Sequence, residues 1–566
     1  MEATSSRPWL SSYAPGVPAD IEVTDETLSD LLDTAVTTYA GHTALDFYGA
    51  TTTYTELGAQ VACAAEGLRR LGIAAGDRVA LVMPNCPQHV VAFYAVLRLG
   101  AIVVEHNPLY TAAELAYQLS DHGATVAIAW DKVVPTLQQV APQCRLATII
   151  AVDLSTALPL AKRLALRLPI AKARTARAAM TAPAPGALRW KDIIATSTPL
   201  SASHPRPVAS DTALLQYTGG TTGVPKGAIL THRNLRSNAA QGRAWVPGLK
   251  DGSEVVYAVL PLFHAYGLTL CLTFAMSIGA TLVLFPRFDL DQTLEAMGRR
   301  PATFLPGVPP VYQALADAAP GRGVDLRSIR FAISGAMSLP TPVVDHWETV
   351  TGGLLVEGYG MTETSPVTVG NPVAGTRRPG TVGVPFPSTD VRIVDPGDPS
   401  IDRPHGEPGE LLIRGPQVFA GYWGRPADTA AVLLEGGWIR TGDVVVMDDA
   451  GFLTIVDRIK ELIITGGFNV YPSEVEAALR RVPGVLDAAA VGLPDGSGGE
   501  RVVAAVVAEP GVRLDPEEVR AASREHLTGY KVPRQIYVID ELPRSVIGKV
   551  LHRAVRDHLL EHPGQR

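Results

Sequence analysis

The sequence predicts an α/β protein: a large N-terminal region of parallel-type α/β subdomains with a small distorted β-barrel, followed by a small α+β domain at the C-terminus. Three observations carry this expectation. Helical and strand-like patterns alternate through residues 27–140 and recur through 250–350. From about residue 380 the texture changes to short β-runs separated by Gly and Pro. After about residue 458 helical and strand patterns alternate again over a stretch of ordinary domain size. A chain of 566 residues is too long for one core, and the division expected is 1–457 and 458–566.

Taken in order, ETLSDLLDTAV (26–36) is amphipathic, DRVALVMP (77–84) is a buried strand, and HVVAFYAVLRLGAIVVEHNP (89–108) reads as helix, glycine stop and strand. Alternation of this kind requires a largely parallel sheet with crossover helices. AYGLTLCLTFAMSIGATLVLF (265–285) carries no charge and is long enough to cross a bilayer. Gly279 divides it into a helix-like part and a β-like run, so a buried helix followed by a buried strand is expected. TVGVPFPSTDVRIVD, GELLIRG and GWIRTGDVVVMDDAGFLTIVDR supply the short strands of the barrel or meander. Beyond them, YPSEVEAALRRV reads as a helix with Ser473 as N-cap and Glu476 completing a capping box. LDAAAVGLPD and RVVAAVVAE read as strands, and DPEEVRAASREHL as a helix. The junction from Asp457 to Lys460 is the candidate hinge.

Composition narrows the function. Hydrophobic residues at 46% and charged residues at 19% are ordinary for a soluble globular enzyme. A net charge of -7 gives no general attraction to nucleic acid, and no nucleic-acid partner is expected. Cys63, Cys86, Cys144 and Cys271 are scattered without metal-ligand spacing and read as buried thiols in a reducing compartment. The N-terminus lacks a basic stretch followed by an apolar core, so no signal peptide is expected and the location expected is cytoplasmic. Residues 154–191 stand apart, with Lys162, Arg163, Arg167, Lys172, Arg174, Arg177, Arg189 and Lys191 and not one Asp or Glu. In a helix Leu160, Leu164 and Leu168 would share one face, with Arg163, Arg167 and Arg174 on another, and Pro169 would interrupt it. Such a segment either lies on an anionic membrane surface, here the inner face, or is a solvated excursion between core elements.

The richest local signal is YTGGTTGVPKG (217–227). A Walker loop needs its lysine directly after a glycine, a Ser or Thr next, and then a helix. Here Pro225 precedes Lys226, Gly227 follows it, and strand-like ALLQY and AILTH flank the loop. The Walker reading fails, but the physical use of the loop survives: converging backbone N–H groups, hydroxyls and one lysine make an anion cradle. Alone, the run is equally well a flexible surface loop.

With YTGGTTGVPKG, the motifs LPLFHAYG (260–267), ISGAMSLP (333–340), EGYGMTETSP (357–366), GELLIRGPQVFAGYW (409–423), WIRTGD (438–443), VDRIKELIITGGFNVYPSEVE (456–476) and PRSVIGKVLHR (543–553) occur in order. Together they resemble the core motifs of the adenylate-forming enzymes, the superfamily of acyl-CoA synthetases, peptide-synthetase adenylation domains and firefly luciferase. The likeness runs from about residue 25 to 560 and is strongest to bacterial long-chain-fatty-acid–CoA ligases. It implies ATP-dependent activation of a fatty acid to acyl-AMP and then thioester formation with CoA, with Mg²⁺, ATP and CoA as cofactor and co-substrates. The alternatives are an acyl-AMP ligase serving a carrier protein, or activation of a short-chain or aromatic acid. A homodimer and a peripheral membrane contact through 154–191 are left open.

The resemblance also implies roles, residue by residue. Thr218, Gly219, Gly220, Thr221, Thr222, Gly223 and Lys226 would hold the ATP phosphates, and Thr218 and Glu363 the Mg²⁺. Gly335, Ala336 and Met337 with Glu357, Gly358, Tyr359, Gly360, Met361 and Thr362 would form the adenylate pocket, Tyr359 stacking on the purine. Asp443 would accept from the ribose hydroxyls and Arg458 make a second ribose or phosphate contact. Lys549 would reach the substrate carboxylate and α-phosphate. His264 would gate or position at the acyl and CoA entrance, Lys460 would be the pivot of a mobile C-terminal domain, and Gly466 and Gly467 would shape the pantetheine passage. Outside these motifs Glu363 reads as a solvated or capping carboxylate, Lys549 as a surface charge, and His264 as a packed imidazole.

Overall fold

The computed structural model describes residues 7–218, 224–465, 468–495, 500–545 and 548–561. The chain forms two compact units, 1–390 with 413–439, and 391–412 with 440–566. The division expected at 457/458 therefore falls inside the second unit.

The first unit contains two large sheets. In one, the strands Leu354–Gly360, Phe331–Ser334, Phe304–Gly307, Val255–Ala258, Thr281–Leu284 and Thr43–Phe47 run parallel in that spatial order. Antiparallel strands extend it at both edges, Ala50–Thr53 at one and Val367–Gly370 then Val384–Pro385 at the other. In the second sheet Thr212–Thr218, Ile102–Glu105, Arg78–Val82, Val126–Trp130, Thr148–Val152 and Leu188–Arg189 are parallel. Lys226–Thr231 and Gly421–Tyr422 close its other edge in antiparallel sense. Apart from the exposed edge strand Leu188–Arg189, the parallel strands are largely buried, which is why they read as apolar runs such as Val79 to Val82.

Local chemistry sets the element ends. Thr27 caps the Leu28–Thr38 helix in a reciprocal box with Asp30. Helix Pro87–Arg98 stops before Gly100, at φ +69°, and strand Ile102–Glu105 follows. The uncharged stretch at 265–285 is a buried helical segment, with wide π-type turns over Leu268–Thr273, followed by strand Thr281–Leu284. Gly279 at the break has φ +65°, and a Cβ there would fall 2.3 Å from the Tyr39 ring. Among the described residues no helix is long and apolar enough to cross a membrane. Residues 160–180 form two short helices, Leu160–Ala165 and Ala171–Met180, interrupted around Pro169, so Leu168 lies in the connection and not on a helix face.

Most of a four-stranded sheet built from Asp390–Val394, Gly409–Arg414, Ile439–Met447 and Leu453–Arg458 falls in the second unit, with a three-stranded sheet of Val485–Pro494, Glu500–Ala508 and Gln535–Val538. Helices Pro472–Leu479, Pro516–Ser523 and His552–Glu561 accompany the three-stranded sheet. Two sequence expectations need correction. Tyr471, not Ser473, occupies the N-cap of Pro472–Leu479, because Pro472 takes the first helical turn. Ser473 instead donates to the Val456 carbonyl and bonds Asp457, while Glu476 accepts from the Ala490 amide. Of the cysteines, Cys86 and Cys271 are buried, but Cys63 and Cys144 are only partly so; all are free thiols.

Candidate active site

The loop at 217–227 joins two antiparallel strands, with Thr218 directly opposite Lys226. Gly219, Gly220, Thr221, Thr222 and Gly223 lie outside the described residues. The flanks of the loop are held firmly. The Tyr117 hydroxyl donates to the Pro225 carbonyl at 3.0 Å, Tyr217 donates to Asp121 at 2.7 Å, and Arg425 bonds the same Asp121 at 3.0 Å. Lys226 pairs with Asp428, its ammonium 5.4 Å from the centre of the Tyr422 ring. A phosphate entering here would exchange with Asp428 for the lysine.

Tyr422 sits on the far side of the Lys226–Thr231 strand, opposite Ala228. Its hydroxyl donates to Glu363 Oε1 at 2.7 Å, and the Phe419 amide donates to the Glu363 carbonyl at 2.8 Å. Burial and the Glu363 charge push the Tyr422 phenol far up, so it stays a donor and fixes the orientation of the buried carboxylate. Thr218, Lys226, Tyr422 and Glu363 are thus linked in succession across one sheet edge. A threonine hydroxyl and an oriented carboxylate are hard oxygen donors, the type that suits Mg²⁺. Among the described residues no group of three or more His, Cys, Asp or Glu forms a metal cage. That donor set fits a cation that completes its shell with water and substrate phosphate.

Gly335, Ala336 and Met337 follow the end of strand Phe331–Ser334, whose tip is clamped from two sides. Tyr266 donates to the Ile333 carbonyl at 2.7 Å and Tyr312 to the same carbonyl at 2.7 Å. Ala336 is held at φ +68°, a conformation a non-glycine residue adopts only where its surroundings impose it. Beside it, Glu357, Gly358, the buried Tyr359 and Gly360 end the neighbouring strand, and Met361 and Thr362 lead into the Glu363 turn. A Cβ on Gly360 would stand 1.9 Å from the Pro366 carbonyl oxygen, so only glycine fits.

Glu357 and Gly358 line an apolar cavity with Trp245, Phe274, Phe304, Ile333 and Phe386. Burial pushes the Glu357 carboxyl up to about 8, only partly opposed by a hydrogen bond from the Leu339 backbone, so it is neutral at pH 7 and presents no charge to the cavity. His264 precedes the helical segment that supplies Phe274. Its Nδ1 accepts the Tyr266 amide at 3.3 Å, which leaves the proton on Nε2. Burial lowers its pKa to about 4, so the neutral imidazole positions chain and does no acid–base work near neutrality.

In the second unit Asp443 and Arg458 are partners across an antiparallel pair, joined at 2.8 Å, with Asp443 buried. Lys549 stands in their field. Its backbone closes a tight turn in which Ser545 donates to the Lys549 carbonyl at 2.8 Å. Burial foremost, then the Arg458 charge, lower the Lys549 pKa, while Glu461 and Asp443 oppose the shift. Lys460 is exposed, two residues beyond Arg458, and Gly466 and Gly467 lie outside the described residues. Sequence reasoning assigned no role to Tyr422, Asp428, Asp121 or Arg425. Tyr422 lies within the motif GELLIRGPQVFAGYW, which was the available signal; the others have none.

The first unit thus holds a buried, oriented carboxylate near the flanks of the 217–227 loop, and the second a desolvated lysine near an aspartate–arginine pair. Similarity to known proteins places the chain in the class of nucleotide-dependent acid-activating ligases. Residues 32–423 match the AMP-binding enzyme family and residues 474–549 the AMP-binding enzyme C-terminal domain. The chain is 38% identical to a long-chain-fatty-acid–CoA ligase of Bacillus subtilis (strain 168) over 99% of each protein, and 39% identical to one of Yersinia pestis over 97% of each. Its fold superimposes on ATP-bound MatB from Rhodopseudomonas palustris with a TM-score of 0.81, at 29% identity over 95% of this chain and 99% of that one. The chain belongs to the AMP-binding enzyme family and is an adenylate-forming acid–CoA ligase.

Proposed function

We propose that the protein activates a long-chain fatty acid with ATP and passes the acyl group to CoA, giving acyl-CoA, AMP and pyrophosphate. The observation that carries the choice of acid is the identity of 38% and 39% to the Bacillus and Yersinia long-chain-fatty-acid–CoA ligases, over 97% or more of each chain.

The first step joins the fatty acid carboxylate oxygen to the ATP α-phosphorus and expels pyrophosphate. Positioning and charge neutralisation suffice for it, since a carboxylate is itself the nucleophile. Thr218, the 219–223 loop and Lys226 hold the β- and γ-phosphates, and Glu363 with Thr218 would hold Mg²⁺, which neutralises phosphate charge when bound. Asp443 orients the ribose with Arg458, and Gly335 to Met337 with Tyr359 enclose the adenine. Lys549 brings its ammonium to the carboxylate and α-phosphate as negative charge gathers there. In the second step the CoA thiolate attacks the acyl carbon and AMP leaves, after residues from about 458 onward pivot at Lys460.

A series of acids from acetate to oleate, with benzoate included, tests the reading by acyl-CoA formation. kcat/KM is expected to rise with chain length to a long-chain optimum. An optimum at acetate or benzoate would overturn the fatty-acid assignment while leaving acid–CoA ligation intact.

A further inference from the structure

The segment 160–180 combines exposed large apolar side chains with a run of cations and no acidic residue. It is tethered at both ends. At the N-terminal side Lys162 lies over the Tyr48 ring at 5.4 Å and 4.0 Å from Glu295; at the C-terminal side Trp130 donates to the Met180 carbonyl at 2.9 Å and Thr181 bonds Asp131. Between the tethers nearly every residue is exposed, Ala173 being buried and Leu166 and Met180 partly so. Leu160 is 68% exposed, Leu164 53%, Leu168 51% and Ile170 52%, a concentration of large apolar side chains in water that a solvated excursion does not need. Lys162, Arg163, Arg167, Lys172, Arg174 and Arg177 are interleaved with them, and no acidic residue occurs in the segment.

We propose that residues 160–180 dock on an anionic lipid bilayer, the leucines and Ile170 entering the headgroup–acyl boundary while the arginines and lysines meet lipid phosphates. Charge complementarity identifies the occupant. The whole protein carries a net charge of -7, so attraction to an anionic surface needs a local cationic patch, which this segment supplies. A nucleic acid would match the cations but has no use for four exposed aliphatic side chains, whereas a bilayer uses both. Leu160 and Leu164 lie on the first short helix, and Leu168 and Ile170 in the connection around Pro169 that leads into the second. The inference stands apart from the choice of acid, because docking is read without turnover.

Flotation of the full chain with vesicles tests it. The protein is expected to rise with phosphatidylcholine vesicles containing phosphatidylglycerol, to stay behind with phosphatidylcholine alone, and to be released by high salt. Replacing Leu160, Leu164, Leu168 and Ile170 together by Ser, or Arg163, Arg167, Lys172 and Arg177 together by Gln, is expected to weaken partitioning at least about tenfold. Both variants should keep ligase activity toward a soluble short acid, which controls for folding. Absence of wild-type flotation overturns the proposal. Flotation that survives the serine substitutions but not the glutamine ones also overturns it, because the leucines and Ile170 then do not enter the bilayer. A wild-type dimer that the serine substitutions dissociate, without flotation, would give the face to a second copy of this chain.

Discussion

At the scale of single residues, the side chains that matter are those whose charge state is set by their surroundings. Tyr422 is one: a phenol kept protonated so that it can aim the Glu363 carboxylate. Tyr422→Phe leaves a buried carboxylate short of a donor, a loss of about 1.5–3 kcal/mol for a hydrogen bond to a charged group. The Mg²⁺ concentration for half-maximal pyrophosphate release is expected to rise about tenfold or more; an unchanged Mg²⁺ titration would remove Tyr422 from the site. Glu357 is the opposite case, a carboxyl kept neutral. Its folded pKa of about 8 lies above its ordinary 4.5, so the folded state binds the extra proton between those values. The stability this contributes is full below about 4.5 and is lost as pH rises through about 8. Glu357→Gln is therefore expected to flatten the fall in urea midpoint between pH 5 and pH 8, and equal slopes in both proteins would contradict the assignment. Neither partnership was legible in the sequence. Glu363 and Tyr422 are 59 positions apart, and nothing local in EGYGMTETSP says that the carboxylate will be buried or by what it will be held.

At the scale of elements, the sequence was most informative where one period dominates. The alternation at 77–108 dictated strand, helix and strand, and Gly279 marked the turn from helix to strand inside an uncharged stretch. It was least informative where a short motif admits two geometries. Ser473 and Glu476 have capping-box spacing, yet Pro472 moves the helix start and leaves the serine to bind the preceding strand. In EGYG, Gly360 is required by contact, with a Cβ falling on the Pro366 carbonyl, which nothing in the sequence announced. Gly360→Ala must push that backbone aside, at a cost of about 1–3 kcal/mol. A thermal melt should record the loss, and adenylation should fall further than the melt alone explains, because the displaced strand end carries Met361 to Glu363. A substitution that melts and turns over like wild type would show that this strand end yields freely.

At the scale of the whole molecule, the pivot proposed at Lys460 must break contacts that are visible inside the second unit. The strand Leu453–Arg458 and the helix Pro472–Leu479 lie on opposite sides of that pivot in the chain. Ser473 ties them, donating to the Val456 carbonyl and bonding Asp457 at 3.0 Å through both amide and hydroxyl. In the same arrangement Lys549 feels the Asp443 and Arg458 charges, the pair proposed to hold the ribose. On the proposed roles, the ties would favour the first half-reaction. Ser473→Ala removes the hydrogen bonding of one hydroxyl, worth about 1 kcal/mol, and should slow acyl-AMP formation several-fold. Thioester formation from synthetic acyl-AMP and CoA should be unchanged or faster. Lys549→Ala should cut acyl-AMP formation by about 10²–10³ while leaving the same thioester step intact, as expected if its charge serves only adenylation, the role proposed for it. Measuring the two half-reactions separately decides the matter: parallel losses in both would mean that residues beyond 458 do not exchange roles by rotation, and that one fixed arrangement of the second unit serves both steps.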